Sequence, residues 1–219
     1  MRPSAGSSPP TCWRHEDRTL GNPGLKIIGL TGGIGMGKST AAAAFRRARI
    51  PVFDADLAVH RMQAKGGRAV KAVEAAFPGS TKDGAVDRDA LRHAVLADRE
   101  ALTRLEHMLH PMVEAEERAF VGRARRAGKR AVVLDIPLLF ETKGDRRVDV
   151  VVVVSAPRAI QIHRVAQRRR MSRADVEAVI ARQTPDQEKR RRADLVVRTG
   201  LSRNHTLRIL NRFIHNLRA

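Results

Sequence analysis

One short run constrains the fold more than any other stretch of the chain: Gly32-Gly33-Ile34-Gly35-Met36-Gly37-Lys38-Ser39. It follows the apolar run Leu25 to Leu30 and opens an alanine-rich helical segment extending through Arg49. A strand before and a helix after is the context in which the spacing G-x-x-x-x-G-K-[ST] forms a loop that cradles phosphates. Glycines let successive backbone N–H groups curl around anionic oxygens, and the helix N-terminus adds its dipole. Gly33, Gly35, Met36 and Gly37 are therefore expected to present backbone N–H groups, and Lys38 to reach the β and γ phosphates of ATP. Ser39 can offer its hydroxyl to a Mg2+ ion bridging those phosphates, and Thr40 sits where it can touch the α phosphate.

Four further apolar runs recur between helical stretches: Pro51 to Phe53, Ala131 to Leu134, Val148 to Val154 and Leu195 to Val197. Their apolarity is largely continuous rather than alternating, which marks strands covered on both faces. The expected fold is α/β, a three-layer arrangement with a parallel sheet between helices. Ligands in such folds sit outside the carboxyl ends of the strands, so the residues just after each run carry most of the functional information.

The 219-residue chain suits one domain with a smaller insertion. Residues 57–129, between the second and third strands, exceed what a simple crossover needs and read as an inserted helical subdomain. Within them helical spacing is expected from Asp87 to Val95, and from Asp98 through Leu105, Leu109, Val113 and Phe120, with Pro111 kinking or breaking the second stretch. Residues 157–192 are helical and strongly basic, as a lid over a nucleotide would be. Ser172 and Ser202 have the positions of helix N-caps. Residues 1–24, rich in Pro, Ser and Gly, read as a disordered leader, and 25–219 as the folded domain. No apolar run approaches the roughly 20 residues needed to span a bilayer. The single cysteine, Cys12, has no partner for an internal disulfide, which suits a cytoplasmic protein.

Lysine and arginine outnumber acids 42 to 23, a formal charge of +19. Such a charge attracts polyanions. The aromatic share is 3% with no tyrosine, and no aromatic residues interleave the basic runs, so a base-stacking platform is poorly supported. Small polyphosphate substrates and a solvated arginine-rich surface account for the charge better than a nucleic-acid partner does.

Acids close two of the expected strands. Asp54 and Asp56 follow the second. A carboxylate there can accept or orient the proton of an acceptor hydroxyl in phosphoryl transfer, or simply cap the helix that follows. Asp135 follows the third, where it would help to organise Mg2+, through water rather than directly. Glu141, six residues on, either organises the acceptor site or is a surface carboxylate. In the basic run near 164–173, Arg164 and Arg168 fall four apart on one helix face, so both can address the same phosphates. The cluster from Lys189 to Arg192 reads as surface.

Taken in order, Thr31 to Thr40, Asp54-Ala55-Asp56, Asp87-Arg88 with Leu91, His110-Pro111, Asp135 to Glu141 (D-I-P-L-L-F-E), Gln161 with Arg164, Arg168, Gln183 and Ala193-Asp194 resemble the dephospho-coenzyme A kinase family over residues 25–200. The P-L-L-F-E and H-P elements are much more specific than the phosphate loop alone. The resemblance implies a P-loop kinase fold with a helical domain for the coenzyme A precursor and a helical lid. It also implies transfer of the ATP γ-phosphate to the ribose 3′-hydroxyl of dephospho-coenzyme A. It assigns the proposed base to Asp56, a contact with the transferred phosphate to Arg164 or Arg168, and acceptor binding to Arg88, His110, Pro137, Leu138 and Glu141. Small-molecule substrates, with no nucleic acid and no membrane, are the expected partners, and a monomer is favoured.

Two substitutions depart from the family pattern: Met36 replaces a common serine, and Thr199, before Gly200, replaces a common asparagine. The first leaves a loop that binds through backbone N–H; the second bears on adenine contact. The competing reading within the same fold is another small-molecule or nucleoside monophosphate kinase. A GTP-binding switch is opposed by the absence of any N-K-x-D sequence.

Overall fold

A computed structural model of the protein describes residues 24–96, 98–169 and 171–217. The expectation of a leader over residues 1–24 therefore falls almost wholly outside the described residues. Five strands form one parallel sheet in the order β2-β5-β1-β6-β7: β1 (Lys26–Thr31), β2 (Val52–Asp54), β5 (Ala131–Asp135), β6 (Val150–Ser155) and β7 (Leu195–Arg198). These are the five apolar runs, each shifted by a residue or two.

Strand β6 shows why the runs are continuous. Val150, Val152 and Val154 pack on one side of the sheet with helices α1 (Lys38–Arg47) and α9 (Arg203–Asn216); Val151 and Val153 pack on the other with Phe53, Leu134, Leu139 and Phe140. Alternate side chains point to opposite faces, and both faces are buried, so neither tolerates polarity. Asp149 interrupts the run just before the strand. It joins the sheet edgewise, its carboxylate accepting the Ile27 N–H at 2.7 Å.

Between β2 and β5 the chain forms α2 (Ala55–Gln63), α3 (Val70–Ala76), a short antiparallel hairpin of β3 (Thr81–Lys82) and β4 (Ala85–Val86), α4 (Arg88–Leu96) and α5 (Arg99–Arg126). This segment has a core of its own, with Met62, Val73, Phe77, Val86, Leu91 and Leu105 at its centre. Helix α5 runs unbroken for 28 residues with Pro111 inside it. The break expected at Pro111 does not occur. An interior proline costs about 3 kcal/mol, but α5 packs against α2, α3, α4 and β5 along its length, and this burial outweighs one lost hydrogen bond.

After β6 come α6 (Arg158–Arg169), α7 (Arg173–Ala181) and α8 (Asp186–Arg191), which returns the chain to β7. The serine caps form: Ser172 accepts from the Asp175 N–H and Ser202 from the His205 N–H. Among the described residues no helix is long and apolar enough to cross a membrane.

Candidate active site

The chain leaves β1 toward β2 on one side, while β6, the neighbour on the other side, continues toward β7. The glycine loop lies at this switch point, where parallel sheets open a crevice. Gly35 and Gly37 have φ of 75° and 91°, values that only glycine adopts without strain. Gly37 is the N-cap of α1, which puts Lys38 and Ser39 in the first turn.

Three side chains remote in sequence hold the loop. Gln161 of α6 donates Nε2–H to the Ile34 carbonyl at 2.8 Å, and Gln183, just after α7, accepts the Ile34 N–H at 3.0 Å. Thr199, at the end of β7, donates its hydroxyl to the Met36 carbonyl at 2.6 Å. Arg164 binds Thr199 twice, NH1 to the hydroxyl at 3.2 Å and NH2 to the carbonyl at 2.8 Å. The structure thus gives Thr199, noted in the sequence as a departure, a place in the loop's support, and it brings Arg164 to the loop's edge. Thr199 engages two of the five guanidinium donors. Arg168 falls on the same helix, but its side chain lies outside the described residues.

The charged centre forms across three strand ends. Lys38 Nζ lies 2.5 Å from Asp135 Oδ1, with the carboxylate almost wholly buried. Burial raises the Asp135 carboxyl above its ordinary value, the Lys38 ammonium opposes the rise, and the charges of Asp54 and Asp56 add to it. Asp54, Asp56, Asp135 and Lys38 therefore share one electrostatic environment. Asp54 is the N-cap of α2, accepting the Leu57 N–H at 3.0 Å, with Arg46 3.6 Å from its other oxygen. The helix-cap reading of Asp54 is thereby met. Asp56, the second residue of α2, remains exposed.

Among the described residues no three acids, histidines or cysteines converge as a metal site. The donors present are nonetheless the hard oxygens that Mg2+ prefers, the exposed Ser39 hydroxyl and the Asp135 carboxylate. Mg2+ takes one or two such ligands from protein and the rest from phosphates and water. The residues fit that ion.

Beside the loop, on the β6–β7 side, lies a cavity of about 680 Å3 lined by Gly33, Met36, Ser155, Pro157, Arg198 and Leu201, among others. Its size suits the nucleoside part of a nucleotide whose phosphates rest on the loop. On the opposite side, Leu57 and Leu138 stay 47% and 39% exposed, large apolar surfaces next to Asp56 and Pro137. The Pro137 carbonyl is fixed by the Thr31 hydroxyl at 2.9 Å.

Other expected acceptor residues are scattered. Arg88 begins α4, whose N-terminus Asp87 closes by accepting from the Asp89 and Ala90 N–H groups. His110 is exposed in the middle of α5. Neither is bonded to the Lys38 centre. Glu141 is neither a free acceptor ligand nor a bare surface group: its Oε1 accepts the Thr184 N–H at 2.8 Å and lies 3.0 Å from Lys189 Nζ. Burial works against its charge, yet these partners hold the carboxyl below its ordinary value. The surface reading of Lys189 to Arg192 fails at Lys189, which is 1% exposed, and holds for Arg190, Arg191 and Arg192, which are exposed. Arg192 nonetheless lies 4.3 Å above the Phe140 ring while bonding Asp145 at 2.8 Å.

The family model described as Dephospho-CoA kinase matches residues 26–204. A dephospho-CoA kinase of Paramagnetospirillum magneticum is 59% identical over 166 residues, 76% of this chain and 78% of the relative. That of Gluconobacter oxydans is 48% identical over 198 residues, 89% of this chain and 98% of the relative. A crystal structure of a Thermus thermophilus protein superposes with a TM-score of 0.77 at 34% identity, covering 88% of this chain and 97% of that one.

Proposed function

The chain belongs to the dephospho-CoA kinase family, and from that premise we propose that it transfers the γ-phosphate of ATP to the ribose 3′-hydroxyl of dephospho-coenzyme A, completing coenzyme A. The observation that carries the division of labour is the Lys38–Asp135 ion pair beside the glycine loop, with Asp54 in register with Asp135 on the neighbouring strand and Asp56 two residues further on.

In this reading the backbone N–H groups of Gly33, Gly35, Met36, Gly37, Lys38, Ser39 and Thr40 bind the ATP phosphates, and Lys38 exchanges Asp135 for the β and γ oxygens. Ser39 and Asp135 would hold Mg2+, which when bound neutralises charge developing on the phosphates. Asp56 accepts or orients the proton of the 3′-hydroxyl. Its exposure in the first turn of α2 leaves it open to an acceptor, whereas Asp54 is committed to its cap. Arg164 and Arg168, from the lid formed by residues 157–192, stabilise charge on the transferred group. The insertion over residues 57–129 supplies Arg88 and His110 to the acceptor, and Pro137 with Leu138 forms an apolar wall for it. The protein acts as a cytoplasmic monomer on small molecules, without a nucleic-acid partner.

The test is to incubate the purified chain with ATP, Mg2+ and dephospho-coenzyme A, with adenosine, AMP and buffer as parallel acceptors. The expected product is 3′-phosphorylated coenzyme A in the first tube alone, identified by mass and phosphate position. Transfer to another acceptor instead would favour the small-molecule or nucleoside monophosphate kinase reading.

A further inference from the structure

The segment after α7 touches both halves of the site within two residues. Gln183 accepts the Ile34 N–H of the phosphate loop at 3.0 Å. Thr184, its neighbour, donates its N–H to Glu141 at 2.8 Å, and the same Glu141 oxygen lies 3.0 Å from the buried Lys189 ammonium. Glu141 ends the loop that begins at Pro137 and carries the exposed Leu138. That loop is stapled a second time by Arg192 on the Phe140 ring. The Lys189 ammonium is buried without an aligned hydrogen bond, so the Glu141 carboxylate it faces is what compensates its charge, and removing Glu141 alone would leave that charge stranded. The pair joins the loop after β5 to the root of the lid.

We propose that Glu141 is a positioning residue that couples the two substrates: through Thr184 and Gln183 it ties the acceptor-side loop at Leu138 to Ile34 of the phosphate loop. A shift of residues 137–141 against a bound acceptor moves Thr184. Gln183 moves with it, and so does the Ile34 peptide, whose carbonyl Gln161 holds from α6. Acceptor binding thus favours the loop geometry that receives phosphates, and by linkage ATP favours the acceptor to the same degree. The inference rests on the reading of Leu138 as part of the acceptor wall.

The experiment measures affinity for a non-hydrolysable ATP analogue with Mg2+, with and without saturating dephospho-coenzyme A, by calorimetry. The wild-type chain is expected to bind the analogue at least about fivefold more tightly when the acceptor is present. In the double variant Glu141→Met/Lys189→Met, which removes both charges together with the oxygen that accepts the Thr184 N–H, each ligand alone should bind within about threefold of wild type while the coupling falls below about twofold. A purely structural role would not separate the coupling from the individual affinities. Gln183→Met cuts the same path at its other end without disturbing the buried pair, and should abolish coupling alike if the double variant does not fold. Coupling that survives in these variants, or is absent from wild type, overturns the proposal. Leu138→Ala separates the two readings. It should weaken dephospho-coenzyme A binding by more than about threefold, and unchanged binding would remove Leu138 from the acceptor wall and the stated path with it, whereas persistent coupling with weakened binding would sink the latch alone.

Discussion

The Thr199 hydroxyl donates to the Met36 carbonyl at 2.6 Å, across 163 residues of chain, and accepts from Arg164 on its other side. One buried hydroxyl thus sets the floor of the phosphate loop and the base of the lid helix together. Thr199→Val keeps the shape and removes the hydroxyl. The Met36 carbonyl then loses its donor in a buried setting, at a cost of about 1–3 kcal/mol. The expected outcome is a KM for ATP raised by about tenfold, from about 1.4 kcal/mol of lost loop geometry, with a smaller change in the KM for dephospho-coenzyme A. Steady-state kinetics with each substrate varied in turn would show it. Equal increases in both KM values would mean a general loss of structure rather than a loop effect.

Asp54 and Asp56 are two residues apart and should fail differently. Asp56→Asn removes the carboxylate proposed to handle the hydroxyl proton, so kcat should fall by about 10²–10⁴ with ATP affinity retained. Asp54→Ala instead deletes a helix cap and should lower stability by about 1 kcal/mol. Thermal melts and single-turnover transfer on the two variants separate these effects. An Asp56→Asn enzyme with normal turnover would take Asp56 out of the mechanism.

What the residues disclosed in advance was whatever has a local signature. The five strands were legible because both faces of the sheet are covered, and the glycine loop because its spacing serves one task. The supports of that loop were not legible as supports. Gln161, Gln183 and Thr199 are ordinary polar side chains whose partners lie 127, 149 and 163 residues away. No periodicity encodes such contacts, and family order placed the two glutamines without giving them a task. Lys189 misled for the opposite reason: a lysine among arginines resembles a solvated face, and only the fold shows Glu141 waiting for it. Pro111 does not break α5 because helix propensity is weaker than the packing of a long helix on two cores.

Gly32 illustrates a motif glycine whose purpose is packing. A Cβ there would lie 2.3 Å from Val154 Cγ2 and 2.6 Å from the Val154 carbonyl oxygen, which is backbone and has little room to yield. Gly32→Ala must therefore push the end of β1 away from β6 and carry the loop with it. The expected result is destabilisation by about 1–3 kcal/mol, measured by chemical denaturation, together with weakened ATP binding. A variant of wild-type stability would show that the strand end is more compliant than this spacing suggests.

Lys38→Met should leave ATP binding measurable and reduce transfer by at least about 10²–10³, the usual consequence of removing one preorganised charge from a developing phosphoryl charge. Quench-flow on the variant would confirm it. Asp135, buried and paired with Lys38, loses its counter-charge in the same variant, so the protein without nucleotide should also melt earlier. Lys38→Arg restores charge but not shape, because a planar fork replaces a point charge. It should recover the melting temperature more fully than the turnover.

Glu117 of α5 offers a test of the fold that leaves the chemistry alone. Burial raises its carboxyl above the ordinary value and the like charge of Glu114 adds to the rise, while the attraction of Arg147, 3.8 Å away, and of Arg118 only partly offsets it. A carboxyl whose folded pKa exceeds its unfolded one favours the folded state while protonated. That contribution is present below the unfolded pKa and disappears as pH rises through the folded value. At pH 8 the wild-type chain therefore carries an ionised group that the fold disfavours, and the neutral isostere Glu117→Gln should melt higher, by about 2–4 °C for each kcal/mol relieved. The advantage should shrink on acidification and vanish once the pH falls below the ordinary glutamate range, where both side chains are neutral. Melting curves of the two proteins from pH 4 to pH 8 give the answer directly. A Gln variant that is less stable at pH 8 and equal at pH 4 would reverse the sign, and would mean that Arg147 holds Glu117 ionised more strongly than burial opposes it.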